Sequence, residues 1–371
     1  MKDFVHIVCF EAPSPPDYGG AMDVYYKIIC LAKAGKKNIL HYFDHKKDRN
    51  VGDIEKYCHN IFSYKRKTAL TGFSTTKPYI VSSRINHELI KNLNKDDHPI
   101  IIEGIHGSGI IPYLKNKNRK IVIRIFNNEE VYYRKLLANE SNFFKRLYFY
   151  FESKLLIKYQ SQLRNSSNYA FLSESDKDVF ANSYHLQNVH FIPCLLPWQQ
   201  IKSLTGNGNF CLYHGNLGIS ENENAALWLL TNVFNTNNID FIIAGKNPSK
   251  KLINAAKQFN STLIQNPTDE VLDDLIKNAH IHVLPSFNKT GVKLKLLHAL
   301  FHGRFCITNY AGVEGSEAED FIFIAETAQE FKNTINKLFK VSFTQKHIQQ
   351  REQLLELYNN EKNAMKFIAL L

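Results

Sequence analysis

Residues 281–307 restrict the fold more than any other stretch. An apolar run, Ile281-His-Val-Leu284, leads into a short polar loop from Pro285. An amphipathic helical pattern follows and stops at Gly303, and a second apolar run, Phe305-Cys-Ile307, comes next. This is a βαβ unit, and its loop lies at the carboxyl end of the first strand, where open parallel sheets bind ligands. The loop carries Gly291, which permits close backbone approach, then Lys293 and Lys295 at the amino end of the helix. The helix dipole and both cations favour an anion, so a phosphate-bearing ligand is the expected guest. On these residues alone, solvated lysines beside a plain turn fit equally well.

The same alternation runs along the whole chain. In the first half, strands are expected at 5–10, 38–43, 99–103, 121–126, 169–172 and 189–192, with a helix over 21–34. Residues 46–97 are polar, basic and mixed, and their short strand-like pieces have no evident order. In the second half, strands at 210–213, 240–244 and 262–264 alternate with helices over 224–230 and 270–278. The segment 193–205, with Pro193 and Pro197, reads as a linker. The pattern predicts an α/β chain of two Rossmann-like domains facing across a cleft. Their expected spans are 1–195 and 206–350, with a C-terminal helix of about 352–371 returning to the first.

Polar residues gather at several strand ends. The first strand runs into a Pro-rich loop ending in Gly19 and Gly20, which is not the Gly-x-Gly-x-x-Gly of dinucleotide binding. These glycines either turn the chain or let a ligand sit against the backbone. His106, between glycines at a strand's carboxyl end, either faces the cleft or is a loop histidine without a task. Asn128, Glu129 and Glu130 point toward the same crevice, and also fit a helix N-cap and first turn. Residues 143–159 form an aromatic and basic helix in which Lys145, Arg146, Lys154 and Lys158 stand against Glu152 alone. Such a helix either lies on anionic lipid or packs its aromatic face on the domain.

Charge is unevenly placed. Residues 1–200 hold 29 Lys+Arg against 19 Asp+Glu, and the remainder 17 against 16, within a net charge of +11. An anionic membrane surface or nucleic acid would suit the basic half. No nucleic-acid recognition motif is present, so nucleic acid is not an expected partner. The start lacks the pattern of a signal peptide, and no apolar run is long enough to span a bilayer. Six cysteines without paired spacing read as reduced core residues. A cytoplasmic protein with contact at the inner membrane face is expected. The Asp-x-Asp at Asp176 and Asp178 reads as the first turn of a helix, and no metal cluster is evident.

Together these stretches resemble the GT-B glycosyltransferases, specifically the retaining family 4 type, over nearly the whole chain. Pro13-Ser-Pro-Pro-Asp-Tyr-Gly-Gly20 resembles that family's glycine-rich acceptor-side loop. His106 matches the histidine that reaches the donor sugar. Arg124 to Tyr133 is similar to an R-x-H-N-x-E-x-x-Y-Y stretch of one subgroup. His214-Gly-Asn-Leu resembles the loop after the first donor-domain strand, and Phe241-Ile-Ile-Ala-Gly-Lys246 the family's I-A-G strand end. Pro285 to Gly303 resembles the family's stretch that opens P-S and continues G-x-K-x-K-x-x-E-A-x-x-x-G, with Gly312-Val-Glu-Gly315 as its follower. Where the family has two glutamates eight positions apart, this chain has Thr290 and His298; where an arginine is frequent, it has Asn216.

The resemblance implies transfer of a sugar from a nucleotide-sugar donor to a glycan or lipid-linked acceptor, with retention, in surface polysaccharide or glycoconjugate synthesis. It implies a nucleotide sugar as co-substrate, UDP- or GDP-linked, and neither a cofactor nor a metal. Catalytic roles fall to His106, Lys293 and Lys295. Donor binding falls to Gly215, Asn216, Gly245, Lys246, Thr290, Gly291, Val292, His298 and Glu314. The acceptor side holds Gly19, Gly20, Asn128 and Glu129. A second reading stays open: a binding protein that kept the fold and lost catalysis.

Overall fold

Two all-parallel sheets organise the chain in the computed structural model, which describes residues 3–44, 48–163, 167–235, 239–289 and 291–371. The first sheet contains β1 (Phe4–Cys9), β2 (Lys37–Asp44), β3 (Cys58–Lys65), β4 (Ile100–Glu103), β5 (Ile121–Ile125), β6 (Asn168–Phe171) and β7 (Val189–Phe191). Their order is β3-β2-β1-β4-β5-β6-β7. The second contains β8 (Phe210–Asn216), β9 (Asp240–Lys246), β10 (Thr262–Gln265), β11 (Ile281–Val283), β12 (Phe305–Thr308) and β13 (Phe323–Ile324), ordered β10-β9-β8-β11-β12-β13. Helices cover both faces of such sheets, which is why β4 and β5 are buried at every position. Strand order reverses beside β1 and beside β8, so each sheet has a switch point of the kind at which open α/β sheets bind ligands.

Residues 1–197 with 358–371 form one compact unit, and residues 198–357 form the other. In the first unit, β3 arises inside the stretch whose pattern had no evident order. It is an edge strand of mixed exposure, so it carries no continuous apolar run. The expected loop after β4 instead coils into a 3-10 helix, Ile105–Tyr113. In the second unit, β8 and β9 outrun their apolar cores. Their pairing continues through His214↔Ala244, Gly215↔Gly245 and Asn216↔Lys246, so these expected loop residues are strand ends. A Cβ at Gly245 would lie 1.9 Å from the Gly215 carbonyl oxygen, so only glycine allows this register.

The chain's last helical stretch is two helices, not one. Gln345–Leu357 belongs to the second unit, where buried Arg351 donates to the carbonyls of Leu300 and Gly303 at 3.0 and 2.7 Å. Asn360–Ala369 packs in the first unit against the helix Gly19–Lys33. Beneath it lies a fully buried charge network. Lys27 Nζ donates to Asp23 at 2.9 Å and to both Glu103 oxygens at 2.8 and 2.9 Å. Arg124 donates to both oxygens of Asp23 at 3.0 and 3.1 Å and to the Ile192 carbonyl at 2.6 Å. Two cations thus face two carboxylates, which offsets the desolvation of all four. Phe367 of the final helix covers both cations, at 4.7 Å from Lys27 and 5.3 Å from Arg124. All six cysteines are free thiols.

Candidate functional site

In the second unit the expected donor residues collect at the carboxyl edge of the sheet, around the helix Leu294–His302. Lys293 is the residue before its first turn, and its Nζ donates to the Gly291 carbonyl at 2.7 Å. Lys295 points back to β8, where its Nζ donates to Tyr213 Oη at 2.9 Å and Asn222 Oδ1 at 3.0 Å and lies 4.6 Å over the Tyr213 ring. Tyr213 in turn donates to the Asn222 carbonyl at 2.9 Å, and Asn222 Nδ2 to the Asn216 carbonyl at 2.9 Å. The residue is half-buried, yet its ammonium is closely enclosed. Burial first, then Lys293, pushes it down to about 7, with Glu221 opposing. In its ammonium form, fixed by two neutral acceptors, this lysine keeps a third N–H for a ligand.

The surrounding loops are stitched together. Ser286 N donates to Asn309 Oδ1 at 3.0 Å, and Asn309 Nδ2 donates to the Ser286 carbonyl at 2.8 Å. Thr308 Oγ1 donates to the Leu284 carbonyl at 2.7 Å. This joins the loop after β11 to the one after β12, which leads to half-buried Glu314. Gly291 and Val292 are half-buried in the first loop, and Lys246 is exposed at the end of β9. Gly215 and Asn216 end β8, and a Cβ on Gly215 would be 3.7 Å from Lys295 Cδ. Thr290 lies outside the described residues.

His298 is turned to other partners. Its ring stacks on Trp198 at 4.4 Å, and its Nε2 lies 3.0 Å from Asp273 Oδ1. The edges of His214 and His302 stand 6.1 and 5.0 Å from it. Tyr213, Asn222, Asp273 and His302 escape the sequence reading, because each joins the site only through the fold.

In the first unit, His106 stacks on Phe10 at 4.7 Å. Gly104 has a φ of +75°, and a Cβ there would stand 2.7 Å from His106 Nδ1, so glycine is required before this turn. Glu129, in the first turn of the helix Glu129–Asn139, is partly exposed as a residue but has its carboxyl tightly surrounded. Burial pushes it up to about 7 against the opposing charge of Arg84. Arg84, missed from the sequence, donates to the carbonyls of Phe10 at 3.1 Å and Ile80 at 2.8 Å. Asn128 is spent locally: its Oδ1 accepts from Val131 N at 3.4 Å and Gln160 Nε2 at 3.1 Å. Gly19 and Gly20 are the first residues of a helix rather than part of the loop before it. That loop is fastened by Arg49, which donates to the Ala12 carbonyl and to Asp17 Oδ1, both at 2.8 Å. Two surface hollows of about 410 and 570 Å³ involve β5 to β7 and the final helix and hold none of these residues.

Residues 208–340 match the family described as glycosyl transferases group 1. The chain is 26% identical to an uncharacterized 44.6 kDa protein in the cps region of Klebsiella pneumoniae, over 91% of this chain and 93% of that one. Among solved structures, a mutant of S. aureus TarM in complex with fondaparinux, alpha-GlcNAc-glycerol and UDP superposes with a TM-score of 0.66 at 12% identity, covering 99% of each chain. HepE of Anabaena, in complex with UDP and glucose, also gives 0.66, at 10% identity over 99% of this chain and 100% of that one. A glycosyltransferase from Rickettsia africae gives 0.66 at 11%, over 100% and 97%. The two Rossmann-like units are those of the GT-B fold, and the family match, residues 208–340, lies wholly within the second unit.

Proposed function

We propose that this chain moves a sugar from a nucleoside-diphosphate sugar to a glycan or lipid-linked glycan, with retention of anomeric configuration, in surface-polysaccharide synthesis. The observation that carries the reading is Lys295, enclosed beside Tyr213 and Asn222 at the start of a helix that Lys293 precedes. As the anomeric C–O bond to phosphate breaks, negative charge grows on the departing diphosphate. Two cations and a helix amino terminus stabilise it there, the role a divalent ion plays in other transferases. The acceptor hydroxyl oxygen forms the new bond to the anomeric carbon, and its proton passes to the leaving phosphate. In the first unit, the Glu129 carboxyl is the proposed acceptor-side group. The relative in a cps region supports the polysaccharide setting.

Thermal stabilisation by UDP, GDP and their sugars tests the reading. A ligand at 100 times its Kd adds about 2.7 kcal/mol, so one nucleotide should produce a clear shift. Turnover of the matching sugar donor should follow. Stabilisation without turnover would favour the non-catalytic reading, and no shift with any nucleotide would end the donor proposal.

The acceptor side is proposed to work at an anionic membrane surface. In the helix Phe143–Gln162, Phe143, Phe144, Leu147, Tyr150 and Phe151 are exposed beside Lys145 and Arg146. Glu152, the acidic residue of this helix, is buried and accepts from Tyr79 N at 2.8 Å, so it does not offset the basic face. Among the described residues no helix is long and apolar enough to cross a membrane. Co-sedimentation with phosphatidylglycerol vesicles should fall at least about tenfold in the Phe143→Ser, Phe144→Ser double variant. Equal sedimentation of both proteins, or equal binding to phosphatidylcholine, would refute membrane contact by this helix.

A further inference from the structure

Three side chains that the proposed transfer does not use converge between two helices of the second unit. His298 and His302 stand one turn apart on Leu294–His302, and Asp273 approaches from Asp269–Asn278. One nitrogen of each imidazole and one Asp273 oxygen all lie within 4.8 Å of one another. His298 Nε2 is 3.0 Å from Asp273 Oδ1. His302 is 5% exposed, and its Nδ1 is buried with no hydrogen-bond partner among the described residues. Two imidazoles and a carboxylate thus meet in one place, where the His298–Asp273 pair leaves the buried His302 Nδ1 unpaired among the described residues.

We propose that Asp273, His298 and His302 bind a divalent transition-metal ion of the zinc class. Histidines four apart on a helix present their nitrogens to a single point, as in helical zinc sites. Ligands about 2.0–2.1 Å from a tetrahedral zinc stand about 3.3 Å apart, so small rotamer changes bring the three onto one ion. Calcium and magnesium prefer oxygen ligands and are poorly served by two imidazoles. Trp198, stacked on His298, fixes that ring's plane. The bound ion ties Asp269–Asn278 to Leu294–His302 and so braces the helix that carries Lys295.

The test is titration of the metal-stripped full-length protein with Co²⁺, followed by visible absorption, then with Zn²⁺. One equivalent of Co²⁺ should produce the intense band of tetrahedral coordination, and one equivalent of Zn²⁺ should bleach it. His302→Ala and Asp273→Asn should each weaken binding by at least about 100-fold. Asp273→Asn is nearly isosteric at a half-exposed position, so it reads the site even if His302→Ala fails to fold. Absence of the tetrahedral band in the wild type, or an Asp273→Asn variant that binds Co²⁺ with unchanged affinity and stoichiometry, would overturn the proposal.

Discussion

Replacing Lys295 by methionine should lower sugar transfer by about 10²–10³-fold, the usual cost of removing one preorganised donor to developing charge. The same variant should lose most of its affinity for a free nucleoside diphosphate. Wild-type binding should depend on pH in a defined direction. Burial sets the Lys295 ammonium near 7, so below that pH the cation that meets the diphosphate is present, and above it the cation is lost. A bound diphosphate favours the charged form, so binding takes up a proton, and Kd should rise about tenfold per pH unit above about 7. For the unliganded protein the sign is opposite. The unfolded chain holds this proton up to the ordinary lysine range, so the folded state's contribution from Lys295 improves as pH rises from about 7. Lys295→Arg should abolish the pH dependence while keeping a positive charge. Calorimetric Kd values that stay constant from about pH 6.5 to 8.5 in the wild type would remove Lys295 from the diphosphate site.

Asp23→Ala should be the most damaging single change to stability, costing about 3–5 kcal/mol. It strips Arg124 of its carboxylate partner, removes one of the two partners of Lys27, and leaves Leu195 N, which donates to Asp23 at 2.9 Å, unpaired. The loss should be confined to the first unit and can be read separately. Both tryptophans of the chain, Trp198 and Trp228, lie in the second unit. Far-UV dichroism in urea should therefore show an early transition that tryptophan fluorescence does not follow. The double variant Asp23→Leu, Arg124→Met should recover much of the loss, because it removes the stranded charge while leaving Lys27 on Glu103. Superimposable urea curves for Asp23→Ala and the wild type would show that the network contributes little.

The legible parts of the sequence were those where one local pattern decides the structure. Residues 281–307 switch from a strand-like apolar run to a helical one and stop at a glycine, so the βαβ unit and the place of Lys293 and Lys295 could be read directly. The partners of Lys295 could not. Tyr213 and Asn222 lie 82 and 73 residues away and meet it only because β8 pairs with β11. Asp23 and Lys27 look like an ordinary exposed i, i+4 pair, and nothing local tells that they face a buried Glu103 and Arg124. The neighbours of His298 were equally hidden: Trp198, stacked on its ring, and Asp273, 3.0 Å from its Nε2, come from distant parts of the chain. The edge strand β3 escaped because partial exposure broke its apolar run.

The final helix has a consequence for how the protein is made. Residues 358–371 complete the first unit, yet they follow the whole second unit in the chain. During synthesis the first sheet leaves the ribosome early, with Lys27 and Arg124 lacking the Phe367 ring that caps them. The second unit, continuous in sequence, can finish folding before that cap is translated. The earlier-made unit is therefore complete only after residues 358–371 have been translated.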